Sequence, residues 1–394
     1  MRIAFVVPRY GPAINGGAER LCRLLAERLV RQAEVEVLTT CAEDLGTWRN
    51  TYPPGVEVIN GVPVRRFPVD YERHPLAFQR FSEMMMAGPR SFFDQVQWMA
   101  LQGPFSSGLL NYLSQVRQRT DLFVFMPYLY CTTYLGVQRV PERAVLEPLA
   151  HDEPPVYLDL FEALFHLPRG FIYNTIEERD FVHRRFHNAH IPYRVLGAGI
   201  DVPRVPDEAI PPGEYIVYTG RVDLSKGCDV LINYFMRYKA EHPGPLQLVL
   251  IGKVSMDIPE HPDIRVLGFI PEEEDEKRFA WLRGARVFVM PSPYESLSLA
   301  TLEAWACGVP ALVNGHTAVL RGHCRRSHAG LYYLNYEEFA AALHLLLTNE
   351  PLRQALGRNG ARYVEQNYNW ETVERAYLEW LEELSEQVRL KVMG

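Results

Sequence analysis

The sequence predicts an α/β fold of two domains, each built on a parallel sheet. Three observations carry that prediction. Short apolar, β-branched runs at 3–7, 122–126, 215–219 and 246–251 alternate with longer stretches of helical spacing, the pattern of strands buried on both faces. Polar or glycine-rich loops follow several of these runs, where open α/β sheets keep their ligands. One stretch at 202–213, VPRVPDEAIPPG, is proline-rich and without periodicity, and it marks a boundary between residues 1–203 and 204–370, with a last helix over 371–394.

Bulk properties bound the function. A chain of 394 residues with 47% hydrophobic and 23% charged residues is long enough for two or three domains with sizeable cores. The formal net charge of -7 argues against general nucleic-acid affinity, so small molecules are the expected partners. Cys22, Cys41, Cys131, Cys228, Cys307 and Cys324 are scattered without a CxxC pair, which suggests neither a zinc site nor a disulfide framework and fits a reducing cytoplasm. Residues 2–7 are too short for a signal peptide, and no run reaches bilayer-spanning length.

In the first half, the strand 3–7 leads through a loop to Gly16-Gly17 and a helix over 18–31, with Leu21, Leu24, Leu25 and Leu29 at helical spacing. Glycines at a helix N-terminus let backbone amides approach an anion or a sugar, although a simple turn explains them equally well. Strands are expected at 34–38 and 62–67. Residues 75–114 read as helical, broken at Gly88-Pro89 and Gly103-Pro104, and are rich in Met and aromatic side chains that would form either core or an acceptor groove lined by residues such as Met85 and Trp98. Further strands at 122–126 and 144–147 follow, the second running into Leu149-Ala150-His151-Asp152-Glu153. Strands at 171–174 and 194–196 flank an amphipathic helix over 176–186.

The second half opens with the strand 215–219 and the loop Gly220-Arg221-Val222-Asp223-Leu224-Ser225-Lys226-Gly227. Lys226 is the first lysine of an otherwise arginine-rich chain. An arginine fork and a lysine point charge at the end of a buried strand are placed to neutralise a diphosphate. After strands at 246–251 and 264–270, the acidic run 272–276 reads as first-turn helix residues favoured by the helix dipole. The strand 286–290 then leads through a loop into a helix over 299–307, with Ser296 and Ser298 as N-cap candidates and Gly308 and Pro310 as a stop. Glu303 projects from the same face as Leu299 and Leu302, an expensive place for a carboxylate, and the neighbouring sequence offers it no cation. The paired hydroxyls of a ribose would meet that demand. The free amides of Leu297, Ser298 and Leu299 could hold a phosphate beside Glu295. The alternative is that Glu303 is exposed and Glu295 a turn residue. After Asn314, the arginines of RGHCRRSHAG read as a solvated face, and residues 336–348, 351–367 and 370–387 read as helices.

Glu295, seven intervening residues, Glu303 and the trailing AxxCGVP resemble the E-x7-E signature of family 4 retaining glycosyltransferases. The loop Gly220–Gly227 resembles the same family's G-R-x5-K-G, and Gly199-Ile200-Asp201 its G-x-D; many members carry Phe-Gly where this chain has Leu297-Ser298. The resemblance implies the GT-B architecture, two Rossmann-like domains with parallel sheets facing a central cleft. It implies a UDP- or GDP-sugar as co-substrate, no resident cofactor and no metal, and a sugar or lipid-linked glycan as acceptor. It assigns the donor diphosphate to Gly16, Gly17, Arg221, Lys226, Leu297, Ser298 and Leu299, and the ribose and base to Glu303 and Ile270. The donor sugar falls to His151, Asp152, Glu295 and Ser296, with His151 and Glu295 in the catalytic positions. A cytoplasmic role in polysaccharide or glycolipid assembly near the inner membrane face follows from the family alone, and the Met and aromatic stretch at 75–114 offers the N-terminal domain a peripheral contact with lipid. Alternatives are a non-catalytic partner subunit that binds sugar or nucleotide, and an epimerase or phosphorylase of similar architecture.

Overall fold

The computed structural model describes residues 1–14 and 16–393. The chain divides into two compact units, Met1–Gly197 with Val373–Gly394, and Ala198–Thr372.

The first unit holds β1 (Arg2–Val6), β2 (Glu34–Thr40), β3 (Gly55–Ile59), β4 (Val62–Phe67), β5 (Leu122–Phe125), β6 (Ala144–Leu146), β7 (Gly170–Tyr173) and β8 (Tyr193–Val195). They form one sheet in the order β3-β4-β2-β1-β5-β6-β7-β8, parallel except for the β3–β4 hairpin. The central strands β1, β5, β6 and β7 are buried almost throughout, as their unbroken apolar runs require. The edge strand β3 was not expected from its pattern, because Val56 and Val58 face solvent. Its signal was the turn: Asn60 and Gly61 take φ of 48° and 84°, the positive values that a two-residue hairpin needs.

Helices Pro75–Ala87, Phe92–Gln102 and Ser107–Val116 replace the broken helical stretch. Here the expectation of an acceptor groove on Met85 and Trp98 is corrected. Both are buried in the core with Met99, Phe123 and Phe161, and the Trp98 indole donates to Ser82 Oγ at 2.8 Å. Leu76, Met84, Phe92, Phe93 and Val96 are large apolar side chains of these helices that reach solvent. From Val373 onward the helix Trp370–Met393 belongs to the first unit, where Tyr377, Trp380, Leu381 and Leu384 are buried.

The second unit holds β9 (Tyr215–Thr219), β10 (Gln247–Ile251), β11 (Ile264–Gly268), β12 (Val287–Met290), β13 (Ala311–Asn314) and β14 (Gly330–Tyr333), in the order β11-β10-β9-β12-β13-β14. All five pairings are parallel. The chain starts at β9, winds outward to β11, then returns to the other side of β9 as β12. The crossovers diverge between β9 and β12, so the loops leaving those two strands flank the crevice where such sheets bind ligands. Strand β11 stops at Gly268, which takes φ 72°, two residues before the expected end. Strands β13 and β14 and the helix Ala318–Ser327 between them were not anticipated. At the start of the unit Gly199 lies against Trp370, where an added Cβ would come 2.3 Å from the indole.

Candidate functional site

The loop after β9 is held by its own backbone before any ligand enters. Gly220 takes φ 143°, and its amide donates to the Ile251 carbonyl at 2.9 Å. Gly252, also at φ 143°, lies so close that a Cβ there would come 1.8 Å from the Gly220 carbonyl oxygen. Only glycine allows that approach of two strand ends. Asp223 then closes a short 3-10 turn, accepting from the Lys226 amide at 3.0 Å and from Ser225 Oγ at 2.6 Å. Its other oxygen lies 3.3 Å from Arg221 Nη1.

Across the switch point, the loop after β12 brings Glu295 to Lys226, with Nζ 2.7 Å from Oε1. Residues 69 positions apart in sequence thus meet at the crevice. Arg221, Asp223, Lys226 and Glu295 form a charge-balanced set, so an arriving diphosphate would compete with Glu295 for the Lys226 ammonium.

The helix Leu299–Ala306 starts where the sequence placed it, but its cap differs. Ser298 is the N-cap residue with φ 67° and ψ 68°, and its hydroxyl bonds Thr301 Oγ1 at 2.9 Å rather than a backbone amide. A left-handed serine costs about 1–2 kcal/mol, and this is the position where many members of the resembled family carry glycine. Ser296 sits half-buried in the preceding loop. Three residues passed over in the sequence hold this loop: Asn314 Nδ2 donates to the Pro291 carbonyl at 3.0 Å, Thr317 Oγ1 to that of Ser292 at 2.8 Å, and the His323 ring lies 3.0 Å from that of Leu297.

Glu303 is buried at 3% exposure, as its place on the helix face required. Its cation comes from outside the neighbouring sequence. Arg278, from the helix Asp275–Gly284, forks onto it with contacts of 2.6 and 3.2 Å, and the same guanidinium takes Asp275 at 2.8 and 3.2 Å. Burial works against the Arg278 charge, yet Glu303 and Asp275 outweigh it and hold the guanidinium above its usual range. Glu303 therefore needs no ligand to be tolerated. Ile270 is buried in the turn after β11.

In the first unit, Gly16 precedes the helix Gly17–Leu29. A Cβ at Gly16 would fall 2.0 Å from Glu19 Oε2, because Glu19 folds back to pair with buried Arg9, whose Nε lies 3.0 Å away. His151 stands in the loop after β6, its Nδ1 3.4 Å from Glu153, which accepts from Tyr128 at 2.8 Å. Asp152 is exposed and takes the Tyr157 hydroxyl at 2.6 Å. Beneath the loop, Glu178 accepts from the amides of Ala150 and Asn174, both at 2.7 Å, and Glu147 accepts from Tyr377 at 3.0 Å and Asn174 at 3.2 Å. Burial pushes each of these carboxyls up to about 8, against the hydrogen bonds that favour the charge.

Among the described residues no helix is long and apolar enough to cross a membrane. Two parallel-sheet α/β units, with basic and acidic side chains at a switch point of the second, define the class of GT-B proteins. Residues 213–349 match the family described as glycosyl transferases group 1, a segment that contains every second-unit residue discussed above from β9 to Thr317. The chain is 26% identical over 261 residues to a D-inositol 3-phosphate glycosyltransferase of Jonesia denitrificans, covering 58% of this chain and 60% of that one. It is 25% identical over 402 residues to the glycogen synthase of Mycobacterium tuberculosis H37Rv, covering 95% and 93%. The first two relatives matched are spanned over only 60% and 52% of their lengths. Among solved structures, sucrose-phosphate synthase from Thermosynechococcus elongatus superposes with a TM-score of 0.72 at 19% identity over 97% and 98% of the two chains. Anabaena HepE, solved with UDP-glucose, gives 0.71 at 14% identity over 97% and 99%. These likenesses show the GT-B fold for the chain, and the match to glycosyl transferases group 1 lies in its second unit.

Proposed function

We propose that the protein moves a sugar from a nucleoside diphosphate sugar, UDP- or GDP-linked, to a glycan or lipid-linked acceptor with retention of anomeric configuration. The observation that carries this reading is the meeting of Lys226 and Glu295 across the switch point, within the segment that matches the glycosyltransferase family. The binding of UDP and UDP-glucose by Anabaena HepE, which shares the fold, supports the choice of donor class.

In this reading, bond breaking at the anomeric carbon gathers negative charge on the leaving diphosphate while the sugar becomes oxocarbenium-like. Arg221, Lys226 and the amides of Leu297, Ser298 and Leu299 neutralise that charge, with Gly16 and Gly17 approaching the same phosphates. These residues carry the role that a metal ion plays in other transferases. Glu303, paired with Arg278, accepts from the ribose hydroxyls through its remaining lone pairs, and the backbone at Ile270 meets the base. Glu295, Ser296, His151 and Asp152 orient the donor sugar. The acceptor hydroxyl attacks from the face the diphosphate leaves, and its proton passes to the departing phosphate oxygen. The cellular setting we assign is polysaccharide or glycolipid assembly in the cytoplasm, at the inner membrane face. The exposed Leu76, Met84, Phe92 and Phe93 of the first unit support contact with lipid or a lipid-linked acceptor.

Thermal unfolding with UDP, GDP, ADP and CMP, in EDTA and again in magnesium, tests the donor reading. A ligand at a hundred times its dissociation constant stabilises the native state by about 2.7 kcal/mol, a shift of several degrees. One nucleoside diphosphate should shift wild type in EDTA and leave Lys226→Ala unmoved. A shift that requires magnesium removes metal independence, and no shift with any of the four refutes the donor site.

A further inference from the structure

His323 is a fully buried histidine outside every motif in the sequence. It sits on the helix Ala318–Ser327 among Trp305, Tyr363 and Tyr368, with its Nε2 3.0 Å from the Leu297 carbonyl oxygen and its Nδ1 3.3 Å from the Tyr363 hydroxyl. These partners fix the ring's tautomer. A carbonyl oxygen can only accept, so Nε2 carries the proton and donates to Leu297. Burial first, and Arg326 second, push the imidazole down to about 3, so the ring stays neutral and Nδ1 accepts from Tyr363. Tyr363 can serve as donor there because its oxygen faces Arg326 Nε, at 3.4 Å, on another side.

The Leu297 carbonyl belongs to the same planar, trans peptide as the Ser298 amide, so fixing one fixes the other in the opposite direction. With the carbonyl directed at a buried imidazole, the Ser298 N–H is directed away from that ring. The Ser298 hydroxyl is occupied by Thr301 and does not fold over that amide. Donation into the carbonyl also polarises the peptide and strengthens its N–H as a donor. Two residues earlier in the same loop, Glu295 meets Lys226.

We propose that His323 is a positioning residue for diphosphate binding: by donating to the Leu297 carbonyl it turns the Leu297–Ser298 peptide so that the Ser298 amide faces the anion. This inference rests on the donor-site reading above. Its chemistry is that of a fixed neutral donor behind an anion-binding turn, and it involves no proton transfer.

The test compares binding of the preferred nucleoside diphosphate with that of its parent nucleoside, which lacks phosphate, by calorimetry and ligand-detected NMR on the full chain. His323→Leu should weaken the diphosphate about fivefold to tenfold, the worth of one ordinary hydrogen bond, and leave the nucleoside unchanged. His323→Gln, whose side-chain amide can donate in place of Nε2, should recover most of the loss. Should the leucine variant not fold, Tyr363→Phe, which frees Nδ1 and the ring, should weaken the diphosphate about twofold to threefold with the nucleoside again unchanged. An unchanged ratio of the two affinities in these variants, or an equal fall in both, makes His323 a packing residue and overturns the proposal. Absence of binding by any nucleoside diphosphate to wild type overturns the donor-site reading itself, a result distinct from a changed ratio.

Discussion

Replacing Arg278 by methionine tests the energetics of the buried Glu303. The substitution keeps most of the apolar stem and removes the charge that touches Glu303 at 2.6 and 3.2 Å. It leaves a carboxylate at 3% exposure without its cation, and breaking a buried pair from one side costs about 3–5 kcal/mol. For a unit of this size that is roughly a 6–20 °C fall in melting temperature. The loss should depend on pH in a defined direction. Stripped of Arg278, Glu303 is desolvated and gains a proton more readily in the folded than in the unfolded chain. The variant's deficit should therefore be smallest near pH 4, and should grow as pH rises past the range in which unfolded glutamates ionise. The double variant Arg278→Met with Glu303→Gln should recover part of the loss, since position 303 then carries no charge and only the more exposed Asp275 has lost its arginine. Urea titrations at several pH values provide the assay. A cost below about 1 kcal/mol at pH 7, or a deficit independent of pH, would refute the argument that this pair is what makes the buried carboxylate tolerable.

Three further outcomes follow from the geometry. Burial holds the Glu147 carboxyl at about 8, so it binds a proton in the folded chain while the unfolded chain has lost it between roughly pH 4.5 and 8. Stability should fall with rising pH across that window, and Glu147→Gln should flatten the fall by on the order of 2 kcal/mol in denaturant titrations. At Ser298, where φ is positive, Ser298→Gly should be more stable than Ser298→Ala by about 1 kcal/mol, because both lose the Thr301 contact but only alanine keeps the backbone strain. In the first unit, Trp98→Ala should cost about 3–5 kcal/mol, while Phe93→Ala should fall within about 0.5 kcal/mol of wild type and, if the exposed face meets lipid, reduce pelleting with anionic vesicles.

The parts of the site that could be read in the sequence are those whose residues lie within one loop or one helix turn. The Gly220–Gly227 loop and the run from Glu295 to Glu303 carry their spacing on the surface of the text, and the structure brings Lys226 and Glu295 together across the switch point. What could not be read is pairing between distant segments. Arg278 lies 25 residues before Glu303 on another helix, and no local pattern couples them. His323 reads as one more polar residue in an arginine-rich helix, because its burial is set by packing against Trp305 and Tyr368. The fold shows the same division. The unbroken apolar runs of β1 and β5 announce themselves, whereas β13 ends on Asn314 and β14 opens on Gly330, and at four residues each neither shows a period. The Met and aromatic stretch at 75–114 names apolar residues without saying which face they turn inward, so Trp98 and Phe93 look alike in sequence and part company at 2% and 74% exposure.

The division of the chain imposes an order on its making. A protein leaves the ribosome from its N-terminus, so every residue of the second unit has emerged before Val373 and its successors arrive to complete the first. Until then the Glu147 carboxylate lacks Tyr377, and the places of Trp380 and Leu384 stand open. The half of the protein that is synthesised first is thus the half that can be finished only last, and the nascent first unit must wait, incomplete, through the synthesis of its neighbour.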